Sequence, residues 1–346
     1  MLKKEDIISI DVDSNWIQEG IDYALISWTS TFNRMGKPNP YSRIQKIMLG
    51  IIAEKAIEKY FLDNEVPFET NGKTKWYEVD RYDIGFNGYA IDVKSNFLDL
   101  TSSYIEKKLS NLFIEKLNWF LKCHALVPLD QFNPGNNERR AHKRDKIYIF
   151  PFIEGYFNEI AVKKPLVHTF WCYKWLKRAE HKSLPHLGNL NIKYNGKLNA
   201  SSIRIFGTTD KNKACIEVFS LTEKEKFTKN NFFQVFSIQW EGENPSGILQ
   251  IESPILKLKE IIKPENSFIL EKKEDGYWPL DNNWQSLAFN LGKVHLLGWT
   301  FEEDFRINGR EFKRFTKTIE QYSEIKVDNW GCLVEDLEAM KNIKNI

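Results

Sequence analysis

Four residues in the first third of the chain have types and spacing suited to metal-assisted hydrolysis: Glu54, Asp83, Asp92 and Lys94. Carboxylate oxygens are the ligands that Mg²⁺ prefers, usually one or two per ion with waters and phosphates completing the shell. A lysine beside them supplies positive charge and hydrogen-bond donors without competing for the ion. Phosphodiester hydrolysis needs a nucleophilic water, a polarised phosphoryl oxygen and stabilised developing charge, and a divalent ion can serve all three.

Three of the four residues fall on one predicted hairpin, Asp83-Ile-Gly-Phe-Asn-Gly-Tyr-Ala-Ile-Asp-Val-Lys94. Asn87-Gly88 is a strong two-residue turn signal, because both turn positions need positive φ. With that turn, Phe86 pairs with Tyr89, Gly85 with Ala90, Ile84 with Ile91 and Asp83 with Asp92. Side chains alternate along a strand, so Lys94 shares a face with Asp92. Gly85 and Ala90 leave space beside the carboxylates on that face. Ile84, Phe86, Tyr89, Ile91 and Val93 make the other face apolar. Like charges directly opposite each other are destabilising unless a cation lies between them.

Glu54 lies on a predicted helix over residues 42–61, with Ser42 as its expected N-cap. Ile44, Ile47, Met48, Ile51, Ile57 and Phe61 form its apolar stripe, and Glu54 sits inside that stripe. A carboxylate on a core-facing stripe is costly unless it is paired or bound to a cation.

Around these residues the pattern predicts one or two short helices within residues 1–30, capped at Asp13-Ser14. A first strand is expected at Trp76–Val79, and a helix over 101–125. Strands are expected at Lys146–Ile153 and 157–162, then an aromatic, basic helix at His168–Glu180. The resulting class is α/β (α+β), a central mixed sheet flanked by helices. Turn residues from Gly188 to Gly196 suggest a boundary between residues 1–190 and an accessory region, 197–346. Short alternating runs at 201–206, 214–219 and 232–240 make that region β-rich or mixed. It ends in a predicted amphipathic helix from about Leu333 to Ile343.

A net charge of +2 means that any basic surface must be local. No apolar run approaches the ~18 residues of a membrane helix, and the N-terminus lacks signal-peptide features. The four cysteines show no C-x-x-C spacing, which fits a reducing cytoplasm. The six histidines show no metal-ligand spacing, and neither a P-loop nor a nucleophile-elbow motif is present.

Glu54 on a helix, Asp83, and Asp92-Val93-Lys94 across a hairpin together resemble the PD-(D/E)xK nucleases, the restriction-endonuclease-like fold. The resemblance spans roughly residues 42–180, with Tyr82 standing where the motif's name has Pro. It implies a Mg²⁺-dependent endodeoxyribonuclease, with Mn²⁺ able to substitute, leaving a 5′-phosphate and a 3′-hydroxyl. It further implies that Asp83, Asp92 and the carbonyl of Val93 ligate the ion. Lys94 would orient the attacking water, and Glu54 would hold a metal-bound water or a second ion. The expected partner is DNA, most simply double-stranded, with a homodimer as one option for assembly. Arg34, Lys37, Arg43, Arg139, Arg140, Lys143 and Arg144 are the candidate DNA contacts. The expected role is a type II restriction or phage-defence nuclease. A recombination, repair or transposition nuclease of the same fold, or a DNA-binding protein without catalysis, remain alternatives.

Overall fold

The computed structural model describes residues 1–27, 40–70, 82–100, 102–110, 116–132, 145–156, 290–317 and 319–346, together with the strands between 168 and 287. The described architecture is mixed α/β: a curled mixed sheet flanked by helices.

The central sheet contains β1 (Ile8–Asp11), β2 (Ile84–Phe86), β3 (Tyr89–Val93), β4 (Asn96–Asp99), β6 (Lys146–Tyr156) and β7 (Asn290–Phe301). Its order is β1-β7-β6-β3-β2, with β4 also paired to β6. The β2–β3 hairpin has the register set by its turn, with Ile84 beside Ile91, Gly85 beside Ala90 and Phe86 beside Tyr89. Asn87 (φ 43°) and Gly88 (φ 86°) both take the positive φ that this turn requires.

The strands β3 and β4 are two pieces of one line. Both run parallel to β6 at the same offset, Ala90 beside Lys146 and Asn96 beside Phe152. Lys94 and Ser95 interrupt the line opposite Phe150 and Pro151. The Lys94 N–H donates to the Ile149 carbonyl at 2.9 Å. The return bond to the Lys94 carbonyl would have to come from Pro151, which has no N–H. The ladder therefore breaks at Lys94.

Alternation along β6 divides the core in two. Ile147, Ile149 and Ile153 pack with Ile84, Phe86 and Ile91 beneath α2 (Pro40–Asp63) and α1 (Ser14–Ser27). Tyr148, Phe150 and Phe152 face the opposite way. They pack against Trp119 and Phe120 of α4 (Lys116–Leu121) and Phe305 of α6 (Glu302–Asn308). The crossover from β4 to β6 also carries α3 (Ser103–Ser110), β5 (His124–Pro128) and α5 (Leu129–Phe132). A small sheet joins β5 to β9 (Asn329–Leu333), and β9 to β8 (Arg310–Phe312). The strands between 168 and 287 form three further antiparallel sheets, as the alternating runs there suggest.

Several expectations are corrected. Residues 8–11 form a strand rather than helix, because their alternating side chains complete a sheet edge on β7. Helix α2 begins at Pro40, suited to a first turn, so Ser42 falls inside the helix instead of capping it. Asp13 does cap α1: its Oδ1 accepts the Asn15 N–H at 2.8 Å. Within the helix expected over 101–125, the described residues are helical at Ser103–Ser110 and Lys116–Leu121, and the expectation runs too far at its end, where His124 and Ala125 begin β5. Residues 168–172 are a strand paired on both sides, so the expected helix does not start there. The terminal segment is two 3₁₀ turns, Val334–Asp336 and Met340–Asn345, held by sheet contacts such as Glu338 N–H to Trp299 O at 2.9 Å. The expected strands at 76–79 and 157–162 lie outside the described residues.

Candidate active site

The broken line β3–β4 carries the candidate chemistry. Its Asp92 lies beside Tyr148 of β6, so Asp92 and Lys94 share the face of the aromatic core. The apolar face expected for the hairpin is the one buried under α2, with Tyr89 and Val93 partly covered.

Asp92 is clasped by two lysines. The Lys94 ammonium donates to Asp92 Oδ1 in a short contact, and Lys146 Nζ lies 3.5 Å from Oδ2. Both ammonium groups also sit 6.0 Å from the centre of the Tyr148 ring. Burial pushes the Asp92 pKa up, but Lys94 and then Lys146 pull it down further. The net shift is below the ordinary carboxylate value, so the group is an anion at neutral pH.

Asp83 reaches the same end of the hairpin by a different route. The antiparallel ladder stops at Ile84–Ile91, one pair short of the expected Asp83–Asp92 opposition. The chain bends there, and the Asp83 N–H donates to the Ile91 carbonyl at 3.2 Å. Its carboxylate Oδ2 accepts the Val93 N–H at 2.7 Å. Asp83 is thereby fastened to the backbone of β3 on either side of Asp92.

Glu54 is half-buried on α2, the helix that covers the opposite face of the sheet. Among the described residues, no three His, Cys, Asp or Glu side chains form a group that could hold a metal ion. The gathered set is Asp83, Asp92, Lys94 and Lys146. Two carboxylates offer the hard oxygens that fit Mg²⁺, and the carboxylate that already holds two cations is Asp92. The two carboxylates are donors of the type that suits a divalent ion, and both Asp92 oxygens are engaged by lysines. Lys146 was not singled out by its sequence context, where it closes a basic loop. It becomes part of the site because β6 runs parallel to β3 in a register that sets it next to Ala90.

Behind Lys94 is a polar chain with no sequence signal. Asn96 Nδ2 donates to the Lys94 carbonyl at 3.3 Å, the acceptor that Pro151 leaves without a ladder partner. Asn96 Oδ1 accepts from the Tyr322 hydroxyl at 2.9 Å. Burial pushes the Tyr322 pKa upward, which keeps it a donor.

A second polar cluster lies at the far end of the same face. Ser9 Oγ is 2.8 Å from His295 Nδ1, and His295 Nε2 is 3.2 Å from Glu154 Oε2. The latter pair is close in distance but not aligned as a hydrogen bond. Glu154 also forms an ion pair with Lys116. Burial foremost, then Lys116 and Lys293, lower the His295 pKa to about 3, so the ring is neutral.

Among the expected DNA contacts, Arg34, Lys37, Arg139, Arg140, Lys143 and Arg144 lie outside the described residues. Arg43 lies in α2 near its start, and its side chain is also outside the description. No helix among the described residues is long and apolar enough to cross a membrane. Comparison with family models, with curated proteins and with solved structures finds no match to this chain.

Proposed function

We propose that this chain is a metal-dependent endonuclease of the PD-(D/E)xK type, hydrolysing DNA phosphodiesters to 5′-phosphate and 3′-hydroxyl ends. One observation carries the reading: a single hairpin end gathers two carboxylates, Asp83 and Asp92, with Lys94. The order of elements also supports it, since a helix precedes the hairpin and a helical crossover leads to a parallel strand, β6.

In this reading Asp83, Asp92 and the Val93 carbonyl would hold Mg²⁺ or Mn²⁺, and Glu54, on the helix over the other face of the sheet, is left out of the metal shell. The ion supplies Lewis-acid polarisation and a more acidic water. Lys94, released from Asp92, neutralises charge on the phosphate and orients the attacking water. Lys146 provides a second cation on the same side. The cell biology that suits such an enzyme is cytoplasmic restriction or phage defence, and recombination, repair or transposition would use the same chemistry. Homodimerisation would let two sites act on the two strands of duplex DNA.

A second reading is favoured by one specific contact pattern. Both oxygens of Asp92 already face lysines, as they would in a structural ion triad. The two readings separate on supercoiled plasmid. The nuclease reading expects nicking or linearisation with Mg²⁺ and none with EDTA. It also expects Asp92→Ala and Lys94→Ala to abolish cutting while DNA binding survives. Binding without cleavage in both Mg²⁺ and Mn²⁺ would leave Asp92 as a structural anion. Discrete fragments would indicate a sequence-specific enzyme, and a smear a degradative one.

A further inference from the structure

The stretch from Arg306 to Lys317, Arg-Ile-Asn-Gly-Arg-Glu-Phe-Lys-Arg-Phe-Thr-Lys, holds five basic residues against one acid. This concentration contrasts with a chain whose total charge is +2. It covers the end of α6, β8 and the turn that follows, and Arg306, Arg310, Lys313, Arg314 and Lys317 are all exposed.

Three of the arginines are braced on rings. The Arg306 guanidinium lies 4.2 Å from the Phe132 ring centre, Arg310 lies 5.0 Å from Phe312 and Arg314 4.5 Å from Phe315. Stacking of this kind restricts a guanidinium while leaving its N–H edges open to an anion. Some of the charge is met locally. Lys313 pairs with Glu311, Arg306 pairs with Glu302 at 3.1 Å, and Asp328 Oδ1 accepts the Arg314 backbone N–H at 2.6 Å.

Phe315 is the anomaly of the stretch. It is 58% exposed and has φ 69°, although it is bulky. The Thr316 N–H donates to the Lys313 carbonyl at 3.0 Å, closing a four-residue turn with Phe315 in third position. A turn with positive φ there favours Gly. The Phe315 N–H donates to the Ile325 carbonyl at 2.8 Å and the Ile325 N–H to the Thr316 carbonyl at 3.2 Å, so the turn is tied to the neighbouring chain. The fold thus projects a ring into solvent from a backbone position that disfavours it, beside the Arg314 guanidinium.

We infer that the Arg306–Lys317 surface binds single-stranded nucleic acid, with an unpaired base stacked on Phe315 and phosphates on Arg310, Arg314 and Lys317. Positive charge that tracks a backbone combined with an exposed ring for a base is the arrangement that fits this partner. A protein surface bearing only acids would have no use for the ring. The inference builds on the nucleic-acid reading above and names the substrate form, a strand with unpaired bases. Tyr322, further along the chain, hydrogen-bonds to Asn96, two residues from Lys94.

The test is fluorescence anisotropy of the full chain in EDTA, so that binding is read without cleavage. The probes are a labelled single-stranded oligodeoxynucleotide, the same length of abasic strand, and polyglutamate. Phe315→Ala is expected to weaken oligonucleotide binding roughly 5- to 150-fold, the range of one lost stack, and to weaken the abasic strand much less, through the lost brace on Arg314 alone. Phe315→Trp should restore binding. The pair Arg310→Gln/Arg314→Gln should weaken both strands and lower the slope of log affinity against log salt by about 1.4. Equal binding of oligonucleotide and abasic strand by the native protein, equal losses on both in Phe315→Ala, or tighter binding of polyglutamate would each overturn the inference. Thermal unfolding of every variant separates these outcomes from misfolding. Normal oligonucleotide binding by Phe315→Ala in a protein that cuts DNA would defeat this surface alone. A Phe315-dependent complex that never cuts with Mg²⁺ would defeat the catalytic reading alone.

Discussion

Replacing Asp92 by Asn keeps the side chain's shape and removes its charge. The two lysines beside it then face a neutral amide, with only 11% of the Lys94 side chain and 20% of Lys146 exposed. Breaking a buried pair by removing one partner costs about 3–5 kcal/mol, chiefly through the charge left stranded. Asp92 keeps 21% of its own surface in water, which favours the lower end, roughly 3 kcal/mol. Adding Lys146→Met removes one stranded ammonium while keeping an apolar stem along Tyr148. The double variant is therefore expected to regain ~1–2 kcal/mol, the size of a coupling between contacting residues. Urea unfolding at neutral pH in EDTA reads these differences as midpoints at constant slope. The pH dependence has a fixed sign. The folded pKa of Asp92 is depressed, so its contribution is present above the unfolded value of 3.8 and is lost as pH falls through the folded value. Native protein and Asp92→Asn should converge in stability at the acid end of that window. A variant as stable as the native protein at neutral pH, or a Lys146→Met effect of the same sign and size in both backgrounds, would refute the triad.

Three further outcomes follow from the geometry. Tyr322→Phe leaves Asn96 Oδ1 without its donor, which should cost about 1–2 kcal/mol; with Asn96→Ala the losses should fall short of additive in urea unfolding, because both cut one chain to the Lys94 carbonyl. His295 is neutral in the fold with a pKa near 3, so stability should decline as pH drops below the unfolded value of 6.5. The decline attributable to this ring is roughly 2 kcal/mol by about pH 5, and His295→Gln should remove it from the pH profile of urea midpoints. Phe315→Gly relieves the positive φ and should be more stable than Phe315→Ala by about 1 kcal/mol in thermal or urea unfolding. No such difference would mean that the turn relaxes without glycine.

What was legible in the chain was local. Asn87-Gly88 prescribes its own turn, and the turn prescribes which residues pair, so the register from Ile84 to Ile91 follows from two residues. The stripe on α2 and the apolar run of β6 are legible because periodicity expresses burial directly. The same logic misread residues 8–11 and 334–345, where the conformation is decided by sheet contacts with distant strands. It also carried the Asp83–Asp92 pairing one step too far, since a bend lets the Asp83 carboxylate bond the Val93 N–H instead.

The sequence by itself determined the hairpin, its apolar face and the presence of Asp92 and Lys94 on the other face, because turn chemistry and alternation act within a few residues. Only the tertiary structure decided what meets them. Parallel pairing with β6 brings Lys146 to Asp92 across 54 positions, and Pro151, having no N–H, breaks the line at Lys94. Tyr322 arrives behind Asn96 from 226 positions away. Contacts of that span are selected by how whole faces pack, and no local spacing in the chain encodes them.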